Sequence, residues 1–259
     1  MSRQVELSAR MQAVADMVSP GNRVCDVGCD HGYVSIYLIQ AGISPGVLAM
    51  DVNKGPLLRA TEHVKQYGME DYIQLRLSDG LLEYRKGEAD TLLCAGMGGR
   101  LLMKILEREP DKTADFKELI LQPQSELKLF RKYLREKGYL WEKETMILED
   151  GKYYPMMKVR KFSDFAQVGE SMGKEECGKN TSVSGEENRK ITEMEDLLGP
   201  LLLQEKNQVL LSYIRQEITV KEGILEGLNK QEQKEKLLLR KQEIEKELVL
   251  LNDAVRMWY

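Results

Sequence analysis

RVCDVGCDHGYVSIYL, residues 23–38, joins an apolar run, a glycine-containing turn and an apolar segment with helical spacing. The run ends at Gly28, the turn extends to Gly32, and the helical pattern begins at Tyr33. Glycines let a ligand approach the backbone, and the free N–H groups at a helix N-terminus attract negative charge. This order of strand, turn and helix therefore predicts a binding site for a nucleotide-like ligand.

The acidic residues of the turn indicate which class of ligand it binds. Dinucleotide-binding turns read G-x-G-x-x-G, whereas this one reads D-x-G-x-x-x-G and carries Asp26 and Asp30. Both carboxylates would repel the pyrophosphate of NAD. They suit the ammonium and sulfonium groups of S-adenosylmethionine, which is the cofactor that the turn favours.

Composition places the chain among soluble globular proteins. It has 259 residues, of which 31% are charged and 42% hydrophobic, with a formal net charge of −4. No membrane-spanning run or signal-peptide core stands out, so we expect a cytoplasmic protein with reduced thiols. Only two histidines are present, and the four cysteines form no C-x-x-C pair, so we expect no metal site.

The rest of the first 162 residues alternates between strand and helix patterns. Further strands are predicted at 46–50, 72–77, 89–95 and 118–121, with helical segments between them, and a closing hairpin at 141–148 and 153–161. This alternation predicts a doubly wound α/β sheet with helices on both faces.

Beyond the sheet the composition changes twice. Residues 163–190 are polar and rich in glycine and serine, which predicts a linker, and residues 191–259 show apolar steps of three and four. The register breaks near 229–236, which favours two helices paired as an antiparallel coiled coil. One long helix forming an intermolecular coil is the alternative. The predicted domains are thus 1–162, 163–190 and 191–259.

Five motifs together resemble one family. They are Leu7-Ser8-x-Arg10-Met11, Asp26-Val27-Gly28-Cys29-Asp30-His31-Gly32, Ser78-Asp79-Gly80, Ala95-Gly96-Met97-Gly98-Gly99 and Gln122-Pro123-Gln124. Together with the linker and the helical C-terminus, they resemble the bacterial tRNA (adenine-22-N1)-methyltransferases over essentially the whole chain. The resemblance implies a Rossmann-like class I methyltransferase fold with a C-terminal coiled coil. It also implies S-adenosylmethionine as cofactor and methyl transfer to N1 of an adenine in the tRNA D-arm.

Each motif then has an expected role. Asp26 and Asp30 neutralise the ammonium of the cofactor, Asp51 binds its ribose hydroxyls, and Asp79 accepts from its adenine amino group. Asp51 lies 23 residues after Gly28, where doubly wound folds place such an acid. The simpler interpretations are turn residues and a helix cap. The full cofactor-binding set is Asp26, Gly28, Cys29, Asp30, His31, Gly32, Asp51, Val52, Asn53, Ser78, Asp79, Gly80, Ala95 and Gly96.

The segment after the fourth strand indicates the target atom. Enzymes of this general fold that methylate exocyclic amines often carry Asn/Asp-Pro-Pro-Tyr/Phe there, and this chain has Ala95–Gly99 instead. Adenine N1 has an in-plane lone pair, so alignment and charge stabilisation should dominate catalysis. Asp30 is the candidate catalytic carboxylate, and no general base is evident. The predicted substrate-binding residues are Met97, Gly98, Gly99, Arg100, Gln122, Lys128, Arg131, Lys132 and Arg135.

Two other functions stay open from the sequence. One is a methyltransferase acting on a small molecule or protein. The other is a non-catalytic protein whose cofactor-binding fold anchors a coiled coil for a partner. The intact glycines and acids speak against the second. The expected partner is tRNA, contacted by basic residues or by the coiled coil, and the chain is expected to be a monomer.

Overall fold

A computed structural model describes residues 4–161, 185–229 and 235–259 of the chain. Its centre is a seven-stranded sheet in the order β3-β2-β1-β4-β5-β7-β6. The first five strands pair in parallel, whereas β7 is antiparallel to both β5 and β6. The strands are β1 (Val24–Val27), β2 (Val47–Asp51), β3 (Ile73–Leu77), β4 (Thr91–Met97), β5 (Glu118–Pro123), β6 (Tyr139–Glu149) and β7 (Lys152–Lys161). The predicted α/β sheet with a closing antiparallel hairpin is confirmed.

Helices cover both faces of this sheet. Residues of β1 alternate between two apolar cores, Cys25 and Val27 facing one and Val24 the other, as expected for a strand buried on both sides. The first core contains side chains of α4 and α6, and the second contains those of α1, α2 and α3. The helices are α1 (Ala9–Ala15), α2 (Tyr33–Gln40), α3 (Lys54–Gln66), α4 (Gly99–Arg108), α5 (Pro110–Thr113) and α6 (Leu127–Glu136).

In the part of the chain that the structure describes, four more helices follow the sheet and enclose a third core. They are α7 (Gly185–Leu198), α8 (Pro200–Gln204), α9 (Gln208–Asn229) and α10 (Glu235–Arg256). Lys221 forms an ion pair with Glu247, and Arg215, earlier in the chain, donates to the hydroxyl of Tyr259, later in the chain. The helices α9 and α10 are therefore antiparallel. The third core also includes Met146 of β6. The C-terminal helices are therefore packed on the sheet domain, not merely tethered to it.

The predicted linker overlaps a helix. Residues 185–190, placed in the linker by their composition, form the first turns of α7. The remainder of the predicted linker, 163–184, lies outside the described residues, as do residues 230–234 of the predicted reversal. Among the described helices, none has the length and apolar character needed to cross a bilayer.

Candidate active site

A cleft of about 470 Å³ opens at the carboxyl ends of β1, β2, β3 and β4. Doubly wound sheets bind ligands at this edge, and the volume lies within the usual range for cofactor pockets. The cofactor-binding residues predicted from sequence line this cleft, except His31 and Gly32. The cleft wall includes Asp26, Gly28, Cys29, Asp30, Asp51, Val52, Asn53, Ser78, Asp79, Gly80, Ala95 and Gly96.

The glycine turn forms the floor of the cleft. Gly28, Asp30 and Gly32 all have positive φ, at 77°, 47° and 74°. The Gly28 and Cys29 amides donate to the Met50 carbonyl at 2.8 and 3.1 Å, which ties the turn to β2. A Cβ at Gly28 would lie 2.2 Å from the Met97 methyl group. Glycine is thus required there both for the backbone conformation and for the space beside Met97.

Asp26 lies behind this turn and is almost fully buried. Its Oδ2 accepts from the Ser35 hydroxyl at 2.6 Å. Burial raises the pKa of the Asp26 carboxyl to about 6, the nearby Asp51 charge adds to the rise, and the Ser35 hydrogen bond opposes it. A bound cation would favour the ionised form. Asp26 is therefore a carboxylate whose charge state a positively charged ligand can control.

Cofactor affinity should consequently depend on pH. A carboxylate with a pKa near 6 is ionised at pH 8 and mostly protonated at pH 5. If the cationic ligand requires the ionised form, its affinity falls below pH 6, approaching about tenfold per pH unit. Titration calorimetry with S-adenosylmethionine between pH 5.5 and 8 measures this. Asp26→Asn should bind more weakly throughout and lose that dependence, whereas an equal dependence in both proteins would exclude Asp26 as its source.

Asp51 and Asp79 follow β2 and β3 at the same edge. Asp51 is buried; its Oδ1 accepts from the Asn53 amide at 2.8 Å, and its carbonyl accepts from the Ser78 amide at 2.9 Å. Its Oδ2 has no hydrogen-bond partner within the described ranges and suits a ribose hydroxyl. Asp79 is about half exposed and paired with Arg108 of α4. If the adenine amino group of the cofactor binds Asp79, the Asp79 carboxylate would accept hydrogen bonds from both that amino group and the Arg108 guanidinium.

Asp30 and His31 lie at the rim. The Asp30 carboxylate is 63% exposed and lies 3.8 Å from Arg59 and 3.6 Å from His31. The His31 ring is not part of the cleft wall. It stacks with Tyr33 and with His63, whose Nδ1 lies 2.9 Å from the His31 carbonyl. The structure thus places the predicted catalytic carboxylate beside the cofactor turn, and the histidine ring outside it.

The residues at the end of β4 and just after it lie in two different environments. Met97 lines the cleft, but Gly98 and Gly99 lie against the β5–α6 connection. A Cβ at Gly99 would lie 2.6 Å from the Ser125 carbonyl oxygen, and one at Gly98 would lie 3.0 Å from the Ser125 hydroxyl. Neither glycine lines the cleft, and packing against Ser125 accounts for the lack of a side chain at both; their contact with a substrate base stays a prediction.

Two of the basic residues on α6 that were predicted to bind the substrate form ion pairs within the protein. Arg131 is 1% exposed, pairs with Glu144 at 2.9 Å and donates to the Leu197 carbonyl at 3.0 Å. Arg135 makes a bidentate pair with Asp196, at 3.0 and 2.7 Å. Both arginines attach the C-terminal helices to the sheet domain. Arg131 is buried, so its assignment to the substrate is wrong, whereas Arg135 is 40% exposed and its contact with the substrate stays a prediction. Of the other candidates, Lys132 and Arg100 are exposed and Lys128 is half-buried.

Gln122 is also buried, at the end of β5. Its Oε1 accepts from the Gly96 amide at 3.0 Å and from Arg10 Nη1 at 3.1 Å. It therefore positions two cleft-lining residues and is not itself exposed to a substrate. Sequence reasoning missed the cleft-lining role of Arg10, although its motif had been noted. The other missed lining residues are Met11, Val27, Pro56, Leu101, Ile105 and Gln124.

Comparison with known proteins decides the family. A methyltransferase domain model matches residues 7–157. The tRNA (adenine(22)-N(1))-methyltransferase of Bacillus subtilis is 31% identical over 252 residues, which cover 97% of this chain and 98% of that protein. The chain belongs to this methyltransferase family. The resemblance inferred from the motifs is thereby confirmed.

Solved structures agree with this family assignment. The B. subtilis M1A22 tRNA methyltransferase TrmK is 29% identical, with a TM-score of 0.80 and coverage of 97% of this chain and 100% of that one. Streptococcus pneumoniae Sp1610, solved in complex with S-adenosyl-L-methionine, is 27% identical, with a TM-score of 0.76 and coverage of 96% and 100%. The match to these members of the methyltransferase family includes the C-terminal helices as well as the sheet.

The cleft fits S-adenosylmethionine on its own chemistry. Four carboxylates, those of Asp26, Asp30, Asp51 and Asp79, line the cleft, whose floor is the Gly28 turn. Such a donor set suits a ligand with an ammonium, ribose hydroxyls and an amino group. It opposes a pyrophosphate, as the sequence predicted.

Proposed function

We propose that this protein transfers a methyl group from S-adenosylmethionine to N1 of adenine 22 in tRNA. The observation that supports this most is the similarity to the B. subtilis tRNA (adenine(22)-N(1))-methyltransferase over nearly the full length of both chains. When bound, the cofactor supplies the methyl group on a positively charged sulfur. The residues of this chain bind and orient both reactants.

Binding begins with the acids at the carboxyl edge of the sheet. Asp26 and the Gly28 turn hold the amino-acid end of the cofactor, Asp51 its ribose and Asp79 its adenine. Because these groups belong to three different strands or strand ends, they orient the cofactor along the cleft. Orientation of this kind contributes to rate by aligning the reacting atoms.

The target base then enters beside β4. Met97 offers an apolar side chain there, and the loop has neither the prolines nor the aromatic ring of amine-directed enzymes. A ring nitrogen with a free lone pair needs no proton removed before it attacks. We therefore propose that the cleft acts by aligning the reactants and excluding water. The base gains positive charge as it is methylated, and we propose that the Asp30 carboxylate stabilises that charge.

The product nucleoside tests the function directly. An unmodified tRNA transcript with adenine at position 22 is incubated with the protein and isotopically labelled cofactor, then digested for mass spectrometry. We expect N1-methyladenosine from this transcript and none from a matched transcript with guanosine 22. N6-methyladenosine, under conditions that prevent rearrangement of the N1 product, would overturn the assignment, as would methylated guanosine.

The cellular compartment and the oligomeric state of the protein are further proposals. An enzyme acting on tRNA is expected in the cytoplasm, and we propose that it acts as a monomer without a metal. We propose that Lys128, Lys132, Arg135 and Arg100 contact phosphates, since none of them is buried. The paired helices α9 and α10 are a further candidate for holding the tRNA.

A further inference from the structure

One polar side chain of the cleft lies on the side away from the acids. The carboxylates of Asp26, Asp51 and Asp79 lie at or just beyond the ends of β1, β2 and β3. Gln124 follows β5, which β4 separates from those three strands. A Cβ at Gly96, in β4, would be 3.6 Å from Gln124 Nε2. Because the proposed cofactor contacts belong to the first three strands, Gln124 lies on the side of the cleft that is left for the substrate.

The polar neighbour of Gln124 in the cleft, Arg10, is suited to the cofactor. A Cβ at Gly96 would be 3.8 Å from Arg10 Nη1. A guanidinium pairs with a carboxylate, and the amino-acid end of S-adenosylmethionine carries one. With Arg10 assigned in this way, Gln124 is the polar side chain of the described cleft wall that no proposed cofactor contact uses.

The backbone around Gln124 is fixed, whereas its side chain makes no hydrogen bond. The Gln124 amide donates to the Met97 carbonyl at 2.8 Å, and the Gly99 amide donates to the Ser125 carbonyl at 3.2 Å. Within the part of the chain that the structure describes, neither Oε1 nor Nε2 of Gln124 has a hydrogen-bond partner. The residue is exposed. One acceptor and one donor are therefore held at the cleft and available to a ligand.

The proposed reaction restricts how the protein can recognise adenine. N1 must face the methyl group of the cofactor, so the protein cannot use N1 as a hydrogen-bond acceptor. The neighbouring edge of the base presents the N6 amino donor and the N7 acceptor, and the carboxamide of glutamine binds both in a bidentate manner. Guanine presents two acceptors at that edge, O6 and N7, and does not match. A carboxamide at this place therefore selects adenine and leaves N1 free.

We infer that Gln124 recognises the target adenine, its Oε1 accepting from the N6 amino group and its Nε2 donating to N7. The inference deepens the proposed function, on which it rests for the identity of the base. Met97, whose carbonyl holds the Gln124 backbone, also lines the cleft and offers an apolar contact to the face of the same base. Gln124 is thus a specificity-determining residue that takes no part in the transfer of the methyl group.

The test combines a protein variant with the change of one atom in the base. Gln124→Met keeps a side chain of similar length without the carboxamide, and 7-deazaadenosine at position 22 of the tRNA replaces N7 with a C–H group. We expect Gln124→Met to lower kcat/KM for the adenosine transcript about five- to 150-fold, as the loss of a bidentate base contact does. Gln66→Met, at an exposed residue that ends α3, should match the wild type.

The loss caused by 7-deazaadenosine shows whether the contact is direct. The altered ring changes the reactivity of N1 by the same factor with every protein, so the difference between proteins is what counts. With this transcript, the wild type and Gln66→Met should each lose about two- to twelvefold more kcat/KM than Gln124→Met loses, which corresponds to one hydrogen bond. Calorimetry should give wild-type affinity for S-adenosylmethionine in Gln124→Met.

Two results would overturn the inference. One is an equal loss from 7-deazaadenosine in all three proteins, because any lower activity of Gln124→Met would then come from altered structure. The other is weaker cofactor binding by Gln124→Met, because the carboxamide would then belong to the cofactor. If the wild type formed no N1-methyladenosine, the proposed function would fail. If it formed the product without this dependence on N7, only the role of Gln124 would fail.

Discussion

Replacing Arg131 with methionine should lower the free energy of unfolding by about 3–5 kcal/mol, because it leaves Glu144 buried without its counter-charge. Both side chains are almost fully buried, with Nε and Oε1 2.9 Å apart. Burial raises the pKa of Glu144, and the Arg131 charge opposes that rise. The Leu201 and Leu202 amides also donate to Glu144 Oε2, at 3.2 and 3.4 Å, so the pair connects α6, β6 and α8. Urea unfolding measures the loss.

An exposed pair on the same hairpin is the control. Arg160 and Glu142 lie 2.9 Å apart but are 40% and 35% exposed, so Arg160→Met should cost less than about 1 kcal/mol. The double variant Arg131→Met with Glu144→Gln should recover most of the loss, since the amide oxygen still accepts from the α8 amides. Equal destabilisation by Arg131→Met and Arg160→Met would show that the buried pair does not hold the C-terminal helices.

Replacing Gly28 with valine should reduce affinity for S-adenosylmethionine by more than about a hundredfold, or 2.8 kcal/mol. The new Cβ would lie 2.2 Å from the Met97 methyl group, and a φ of 77° disfavours a branched residue. Met97 must then move into the space that the ligand needs. Calorimetric titration of the folded variant measures the affinity.

Gly42 separates the steric effect from the backbone strain. It has a φ of 66°, and a Cβ there would have no neighbour within 4 Å. Gly42→Val should therefore lose stability through the same strain, roughly 1–2 kcal/mol, while binding the cofactor as the wild type does. If both variants bound equally well, the floor of the cleft would not be where we place it.

The sequence by itself determined the features that depend on neighbouring residues. The strand, turn and helix around Gly28 and Gly32 follow from local apolar spacing and from glycine's access to positive φ. Asp26, Asp51 and Asp79 could be placed at one edge because the carboxyl ends of parallel strands meet there. The same local patterns predicted the closing hairpin and the reversed C-terminal helices, with element ends differing by a few residues.

Only the tertiary structure decided which polar groups meet across the chain. From the sequence, Arg131 and Arg135 were predicted to bind the substrate. In the fold they pair with Glu144 and Asp196, the latter 61 residues away. Arg10 reaches Gln122 over a separation of 112 residues, and Ser125 fills the space beside Gly99. Such contacts leave no periodic signal, because each depends on how the β5–β7 pairing and helix packing bring distant segments together. The sequence alone therefore located the cofactor side of the cleft, and packing decided which cations remain for the substrate.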